Sequence, residues 1–173
     1  AVYRGLLGMG FKPNQICIAG DSAGGNLTLL TTLRARDMGL SLPAAMVCFS
    51  PVTDLSNDVR HQPVNGDPLL NPAWMHMAMH AYCPPPLDLH MPSVSPLNAD
   101  LAGLPPLLLQ VGEDEVLRDD SLRFAERARA AGVDVRLERY AGMWHVFQAH
   151  VGVLKVANLA MDRVAAFLKS KVS

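Results

Sequence analysis

The chain has 173 residues, half of them hydrophobic, and a formal net charge of −1 at pH 7. This length fits one domain with its own core, and the balanced charge lacks the basic excess of nucleic-acid-binding proteins. No apolar run approaches the length of a membrane span, so the sequence predicts a globular protein with neither a nucleic-acid nor a membrane partner.

Helix-like segments alternate with continuous apolar runs along the chain. The apolar runs predict four buried strands, at Gln15–Ala19, Ala45–Phe49, Leu107–Val111 and Val133–Tyr140. Helices are predicted at Val2–Met9, Gly24–Met38, Pro72–Tyr82, Ser121–Ala131 and from about Val153 to Lys171. Continuous rather than alternating apolar strands, separated by helices, indicate an α/β fold with a parallel sheet covered by helices on both faces.

The cysteines and the first residues bear on the cellular compartment. Three cysteines cannot all pair within one chain, and Cys17 and Cys48 lie in apolar runs, where a small buried thiol is the usual interpretation. The first seven residues have neither the charged leader nor the cleavage pattern of a signal peptide. We therefore expect a reducing, cytoplasmic location for this chain, whose lack of an initiator methionine suggests processing or a partial sequence.

A glycine-rich hexapeptide, Gly-Asp-Ser-Ala-Gly-Gly, begins at residue 20, between the first predicted strand and the long helix that follows. Gly-x-Ser-x-Gly in this setting is the nucleophile elbow of α/β-hydrolases, which makes Ser22 the predicted nucleophile. We expect Gly20 and Gly24 to remove side chains that would collide in the sharp turn, and Gly25 to ease packing of the helix. The alternative is a glycine-rich turn whose serine takes no part in chemistry.

A histidine in the loop between the fourth strand and the last helix is the natural general base. In this fold the triad follows the chain order serine, acid, histidine, and His145 has that position, whereas His150 falls nearer the helix. His76 and His80 are spaced i, i+4 on a predicted helix and could share a metal ion. No third ligand is apparent in the sequence, so no metal site is predicted.

The acid is expected in the loop after the third strand, which holds five carboxylates: Glu113, Asp114, Glu115, Asp119 and Asp120. The last two directly precede the helix predicted at Ser121, where capping of free N–H groups is the favoured interpretation. The other three stay open as the acid. Asp54, after the second strand, is a rival acid and otherwise a turn former.

Together these segments resemble the bacterial hormone-sensitive-lipase-like esterases over nearly the whole chain. The segments that carry the resemblance are the elbow through Asn26, Ser50–Asp54, Ser95–Leu101 with Leu104–Pro106, the acid loop and Gly142–Phe147. The family's acid motif is Asp-Pro-Leu-Arg-Asp, and Leu117–Asp119 matches its second half. An ungapped match then places Glu115 at the family's catalytic aspartate, with Val116 in place of proline. The resemblance favours Glu115 as the acid, with Asp114 as the alternative.

The resemblance has one large gap. Family members carry a His-Gly-Gly-Gly-type oxyanion loop upstream of the elbow, and this sequence contains none. The resemblance therefore implies that residues 1–173 are the C-terminal part of a single α/β-hydrolase catalytic domain, with N-terminal strands and cap missing. Of the expected oxyanion donors, only the N–H of Ala23 is present. We expect these residues alone to aggregate or to be weakly active, because an apolar sheet edge would be open.

The activity implied by the resemblance is that of a serine carboxylesterase on short-acyl esters, with no metal or organic cofactor. Its partner would be a small-molecule ester, and self-association into a homo-oligomer is left open. Four side chains are candidates for an apolar substrate pocket, although methionine at helical spacing is more often core: Met75, Met79, Trp144 and Phe147.

Other functions share this pattern. A lactonase or a peptidase would use the same acyl chemistry on the same fold. A non-catalytic ligand-binding protein, as in the plant gibberellin receptors that resemble this family, would lack the histidine found here at position 145. An inert fragment of an enzyme is the third alternative.

Overall fold

A computed structural model describes residues 1–57 and 59–172. Its strands are β1 (Cys17–Asp21), β2 (Ala45–Phe49), β3 (Leu107–Gly112) and β4 (Val135–Tyr140). They form one sheet in the order β1-β2-β3-β4, and every neighbouring pair is parallel. The predicted parallel sheet is therefore confirmed.

Within the same residues five α-helices accompany the strands: α1 (Val2–Gly8), α2 (Ala23–Asp37), α3 (Pro72–Tyr82), α4 (Arg118–Ala130) and α5 (Lys155–Lys171). Short 3-10 turns lie at Pro13–Gln15, Pro96–Asn98 and Phe147–His150. A search of the described helices for one long and apolar enough to cross a membrane finds none.

Alternate residues of the central strands face opposite sides of the sheet. Met46 of β2 packs in one apolar cluster with Leu29 of α2 and Phe124 of α4. Its neighbour Val47 packs on the other face against Phe167 of α5. Both faces of the strand are fully buried, which is why its sequence is continuously apolar. The predicted covering of both faces by helices is confirmed.

Some strands and helices begin at residues other than the predicted ones, because local hydrogen bonds form there instead. β1 starts later than predicted because Pro13–Gln15 form a 3-10 turn. β4 starts at Val135 because the N–H of Val133 bonds the carbonyl of Ala128 and closes α4. α4 itself begins at Arg118, earlier than predicted.

The long connection between β2 and β3 folds over the carboxyl ends of the strands. Its helix α3 contributes Met75 and Met79 to a separate apolar cluster that also contains Val52, after β2, and Leu117, after β3. Because parallel strands end at the same edge of the sheet, this cluster lies beside the loops that follow β1 to β4.

Candidate active site

The turn between β1 and α2 holds Ser22 in a conformation that non-glycine residues seldom adopt. Its φ is 51° and its ψ −116°, and its N–H donates to the carbonyl of Phe49 at 2.8 Å. A side chain at Gly20 would overlap the carbonyl of Gly24, and a Cβ at Gly25 would lie 2.7 Å from that of Pro51. The predictions that Gly20 permits the turn and that Gly25 permits close packing of the helix are confirmed.

Gly24 does not play the predicted part. The nearest atom to a Cβ built at Gly24 is a carboxylate oxygen of Asp21, at 3.9 Å, which is ordinary van der Waals contact. Only the carbonyl of Gly24 crowds the turn, so the expectation that a side chain at this position would collide is wrong.

Glu115 and His145 meet below the surface at the ends of β3 and β4. Glu115 is fully buried, His145 is 4% exposed, and Nδ1 of the imidazole lies 3.5 Å from Oε1 of the carboxylate. The second carboxylate oxygen, Oε2, accepts hydrogen bonds from the Ser50 hydroxyl at 2.7 Å and from the Gly112 N–H at 2.8 Å. One oxygen is thus fixed by the protein, while the other faces the imidazole.

The loop that carries His145 packs directly on the end of β3. The carbonyl of Met143 lies so close to Gly112 that any side chain there would overlap it. The same carbonyl accepts a hydrogen bond from the N–H of Asp114 at 2.9 Å. These contacts fix the histidine loop against the acid loop.

The serine turn joins this arrangement through the residues that follow β2. The N–H of Ser22 bonds Phe49, and the next residue, Ser50, accepts a hydrogen bond from the N–H of Val146 at 3.3 Å. The turn after β1 therefore contacts Phe49, and the loop after β4 contacts the adjacent Ser50, at the end of β2.

Strained backbone conformations are concentrated in the loops that surround Glu115 and His145. In the parts of the chain that the structure describes, three non-glycine residues have positive φ: Ser22 at 51°, Ser50 at 46° and Val146 at 52°. Such conformations cost energy and cluster at functional sites, and for the β-branched Val146 a positive φ is especially rare. All three lie in the network that connects the serine turn, Glu115 and the histidine loop.

The rival carboxylates have other surroundings. Asp54 pairs with Arg123 at 2.9 Å and accepts hydrogen bonds from the N–H and hydroxyl of Ser56. Burial acts to raise the pKa of Asp54, but these hydrogen bonds and the Arg123 charge outweigh it and hold the pKa below its ordinary value. Asp114 is half-buried, and only its backbone N–H is tied to the histidine loop.

The capping interpretation of Asp119 and Asp120 is wrong. Because α4 begins at Arg118, both residues lie inside its first turn rather than before it. Asp120 is buried, accepts hydrogen bonds from the N–H groups of Thr53 and Asp54, and pairs with Arg60 at 2.9 Å. It thereby fastens the connection after β2 to α4.

An apolar cavity of about 150 Å³ lies beside the serine turn. Its walls come from the serine turn, the start of α2, the residues after β2 and one face of α3: Ser22, Ala23, Asn26, Leu27, Val52, Leu55, Trp74, Met75, Ala78, Met79 and Tyr82. Met75 and Met79, two of the predicted pocket residues, are among them.

The other two predicted pocket residues lie elsewhere. Phe147 is fully buried in a cluster with Tyr140 and Ala160, and Trp144 packs against that cluster and against the ring of His150. Neither side chain lines the cavity beside Ser22, because the loop after β4 turns both towards α5 rather than towards α3.

Ala23 is the first residue of α2, so its N–H belongs to the group of N–H donors that a helix start leaves unpaired within the helix.

On α3 the Nε2 atoms of His76 and His80 lie 3.0 Å apart, and among residues 1–57 and 59–172 no third metal-ligating side chain joins them.

Ser50 is the site residue that the sequence analysis missed. In the sequence it reads as the residue that stops a strand before Pro51, and nothing local indicates that its hydroxyl meets residues far along the chain. Two signals could have found it: its position directly after a buried parallel strand, where functional side chains of such sheets gather, and its place in a segment that carries the family resemblance.

Known proteins are similar to this chain over nearly its whole length. A family described as "alpha/beta hydrolase fold" matches residues 2–149. An esterase of Acinetobacter venetianus is 39% identical over 98% of this chain and 56% of its own length, and an acetyl-hydrolase of Streptomyces hygroscopicus is 38% identical over 98% and 57%. The chain therefore spans little more than half the length of these relatives.

Solved structures of known proteins also superpose on this chain. An esterase of the bacterial hormone-sensitive lipase family superposes with a TM-score of 0.90 at 38% identity, covering 99% of this chain and 58% of its own. EstE5, in a crystal soaked with p-nitrophenyl butyrate, superposes with a TM-score of 0.90 at 39% identity, over the same shares of the two chains. On the evidence of sequence, fold and neighbours, this chain belongs to the α/β-hydrolase fold family, in its bacterial hormone-sensitive-lipase group.

Proposed function

We propose that this chain carries the nucleophile, base and acid of a serine carboxylesterase that hydrolyses short-acyl esters. The observation that carries the proposal is the buried contact of Glu115 with His145, at the same sheet edge as the strained turn of Ser22. A carboxylate that touches one imidazole nitrogen fixes the tautomer in which the other nitrogen can take a proton. Because the chain spans 56% of its esterase relative, the activity is proposed for the whole protein that contains these residues.

In this mechanism His145 removes the proton of the Ser22 hydroxyl as its oxygen attacks the ester carbonyl. The negative charge on the carbonyl oxygen is stabilised by the N–H of Ala23, at the positive end of α2. His145 then gives its proton to the departing alcohol, which leaves an acyl group on Ser22. Water, activated by the same imidazole, releases the acid and restores the serine.

Glu115 acts throughout by orienting His145 and by stabilising its positive charge. Its burial excludes water from the pair, and its second oxygen is already satisfied by Ser50 and Gly112. The carboxylate therefore has a single free direction, which points to the imidazole. Asp114 remains the alternative acid of this proposal, but only its backbone contacts the histidine loop.

The size of the cavity supports a short acyl group. A dry protein cavity of about 150 Å³ holds a molecule as large as benzene, and the cavity beside Ser22 has about that volume. Its apolar walls, among them Met75 and Met79, would accept hydrocarbon and exclude charge. The relatives named an esterase and an acetyl-hydrolase fit the same substrate class.

A panel of p-nitrophenyl esters of increasing acyl length tests the proposal. We expect turnover to be highest for acetate to hexanoate and to fall for octanoate and longer esters. Ser22→Ala in the same protein is the control and should abolish turnover. Lactone and peptide substrates in parallel assays identify the alternative hydrolases. Turnover of either with none of the nitrophenyl esters would overturn the esterase assignment.

A further inference from the structure

The buried hydroxyl of Ser50 connects the acid to the histidine loop. Ser50 is fully buried; its Oγ lies 2.7 Å from Oε2 of Glu115 and 3.3 Å from the backbone nitrogen of Val146, the residue after His145. The N–H of Val146 can only donate, so Oγ accepts there. The single hydroxyl proton is then left for the carboxylate of Glu115.

We propose that Ser50 is a positioning residue that holds Glu115 and the His145 loop in the arrangement needed for proton transfer. The inference rests on the proposed function and adds to it a residue outside the serine, acid and histidine. Ser50 is not among the residues that line the cavity, so it acts on the reaction through Glu115 and the loop rather than by touching substrate.

The contacts of Glu115 explain why loss of the Ser50 hydroxyl would disturb the acid and the histidine loop. Oε2 accepts from Ser50 and from Gly112, while Oε1 faces His145 at 3.5 Å. Without the hydroxyl, Oε2 keeps only the Gly112 N–H, and the carboxylate gains freedom to rotate away from the imidazole. The N–H of Val146 also loses its acceptor, although Val146 has a φ of 52° that needs support from its surroundings.

The backbone at Ser50 allows the chemical role to be separated from a structural one. Its φ of 46° lies in the left-handed region, which glycine adopts freely and alanine does not. Ser50→Ala removes the hydroxyl and keeps the strain, whereas Ser50→Gly removes the hydroxyl and relieves the strain. A purely structural role predicts that the glycine variant is close to wild type in activity. The positioning role predicts that both variants lose activity alike.

The test measures kcat and KM for p-nitrophenyl butyrate, the rate of Ser22 labelling by a small phosphonate, and unfolding in urea. We expect kcat and the labelling rate to fall about ten- to hundredfold in both variants, by analogy with the loss of a hydrogen-bond partner behind a metal ligand. KM should change little. Ser50→Gly should resist urea better than Ser50→Ala.

Ser95→Ala is the matched control. Ser95 is also fully buried, and its hydroxyl likewise makes two hydrogen bonds, with the N–H of Leu55 and the carbonyl of Leu89. Its removal should lower the resistance to urea and leave kcat nearly unchanged. A loss of kcat in Ser95→Ala equal to that of Ser50→Ala would overturn the positioning role.

A double-mutant cycle with Glu115→Gln completes the test. If Ser50 acts through Glu115, removing its hydroxyl in the Glu115→Gln protein should cost less than about twofold in kcat. If the losses of kcat caused by the Ser50 and Glu115 substitutions were fully additive, the role of Ser50 would be overturned and the esterase proposal would stand. The same conclusion would follow from wild-type kcat in both Ser50 variants while Glu115→Gln is inactive. Wild-type turnover in Ser22→Ala and Glu115→Gln would overturn both.

Discussion

Glu115 and His145 contact each other across 30 residues of sequence, with the carboxylate fully buried and the imidazole 4% exposed. A buried carboxylate is unfavourable unless its oxygens are satisfied, and the partners of this one are Ser50, Gly112 and His145. The contact therefore depends on β2, β3 and the loop after β4 being assembled together. It also leads directly to a test of which carboxylate is the acid.

Glu115→Gln should lower kcat about ten-thousandfold, because a neutral amide neither stabilises the imidazolium nor enforces the right tautomer. Asp114→Asn makes the same chemical change one residue earlier and should leave kcat close to wild type. Steady-state kinetics with p-nitrophenyl butyrate compares the two variants. A loss in Asp114→Asn that exceeds the loss in Glu115→Gln would transfer the role of acid to Asp114.

Ser22 should be the one residue that a serine-reactive phosphonate labels. Ser22 is half-buried in a strained turn at the sheet edge where His145 lies, and we expect its reactivity to depend on that base. Mass spectrometry of the labelled, digested protein locates the adduct. Labelling should vanish in Ser22→Ala and slow greatly in His145→Ala. An adduct on another residue would contradict the assignment.

Ala78→Leu should shift the acyl preference towards acetate. Ala78 lies on the face of α3 that lines the cavity, and a leucine there removes part of its volume of about 150 Å³. In this variant kcat/KM should fall more for the hexanoate ester than for the acetate ester. Ala81→Leu, on an exposed position of the same helix, is the matched control and should leave the ratio unchanged. Equal ratios in all three proteins would show that acyl groups bind elsewhere.

Gly20→Ala and Gly24→Ala should have opposite effects on stability. A methyl group at Gly20 would overlap the carbonyl of Gly24, so the turn must open, at a cost of about 1–3 kcal/mol. A methyl group at Gly24 meets nothing closer than 3.9 Å and lies in the first turn of α2, where alanine is the better helix former. The free energy of unfolding in urea measures both. Similar destabilisation by both substitutions would contradict the close approach at Gly20.

Asp54 should contribute to stability at neutral pH and lose that contribution in acid. Its pKa is lowered in the folded protein, since the Ser56 hydrogen bonds and the Arg123 charge outweigh burial. A group of this kind stabilises the fold above its unfolded pKa, about 3.9, and the contribution is lost as the pH falls through the folded pKa.

Asp54→Asn should therefore be less stable than wild type at pH 7, and the difference should shrink below about pH 4. Urea unfolding at pH 7, 5, 4 and 3 measures it. A constant difference between the two proteins at every pH would refute this account.

Local sequence was sufficient for the features that depend on neighbouring residues. The strand at Ala45–Phe49 has the predicted bounds because its residues are continuously apolar. The helix at Pro72–Tyr82 also has the predicted bounds, because Asn71 caps its start by accepting a hydrogen bond from the N–H of Trp74. The serine turn was also predictable, since a strand, a glycine and a helix within a few residues already require a sharp change of direction.

Tertiary structure decided everything that depends on distant pairing. The sequence offers five carboxylates after β3, and family resemblance alone favoured Glu115 among them. The packing of β3 against the loop after β4 brings the Glu115 side chain, rather than that of Asp114, to His145. Tertiary packing likewise makes Asp120 a buried partner of Arg60. Ser50 meets Glu115 65 residues away and Val146 96 residues away. No local pattern encodes such contacts, because they arise only when parallel strands in register bring their ends, and the loops that follow, to one edge of the sheet.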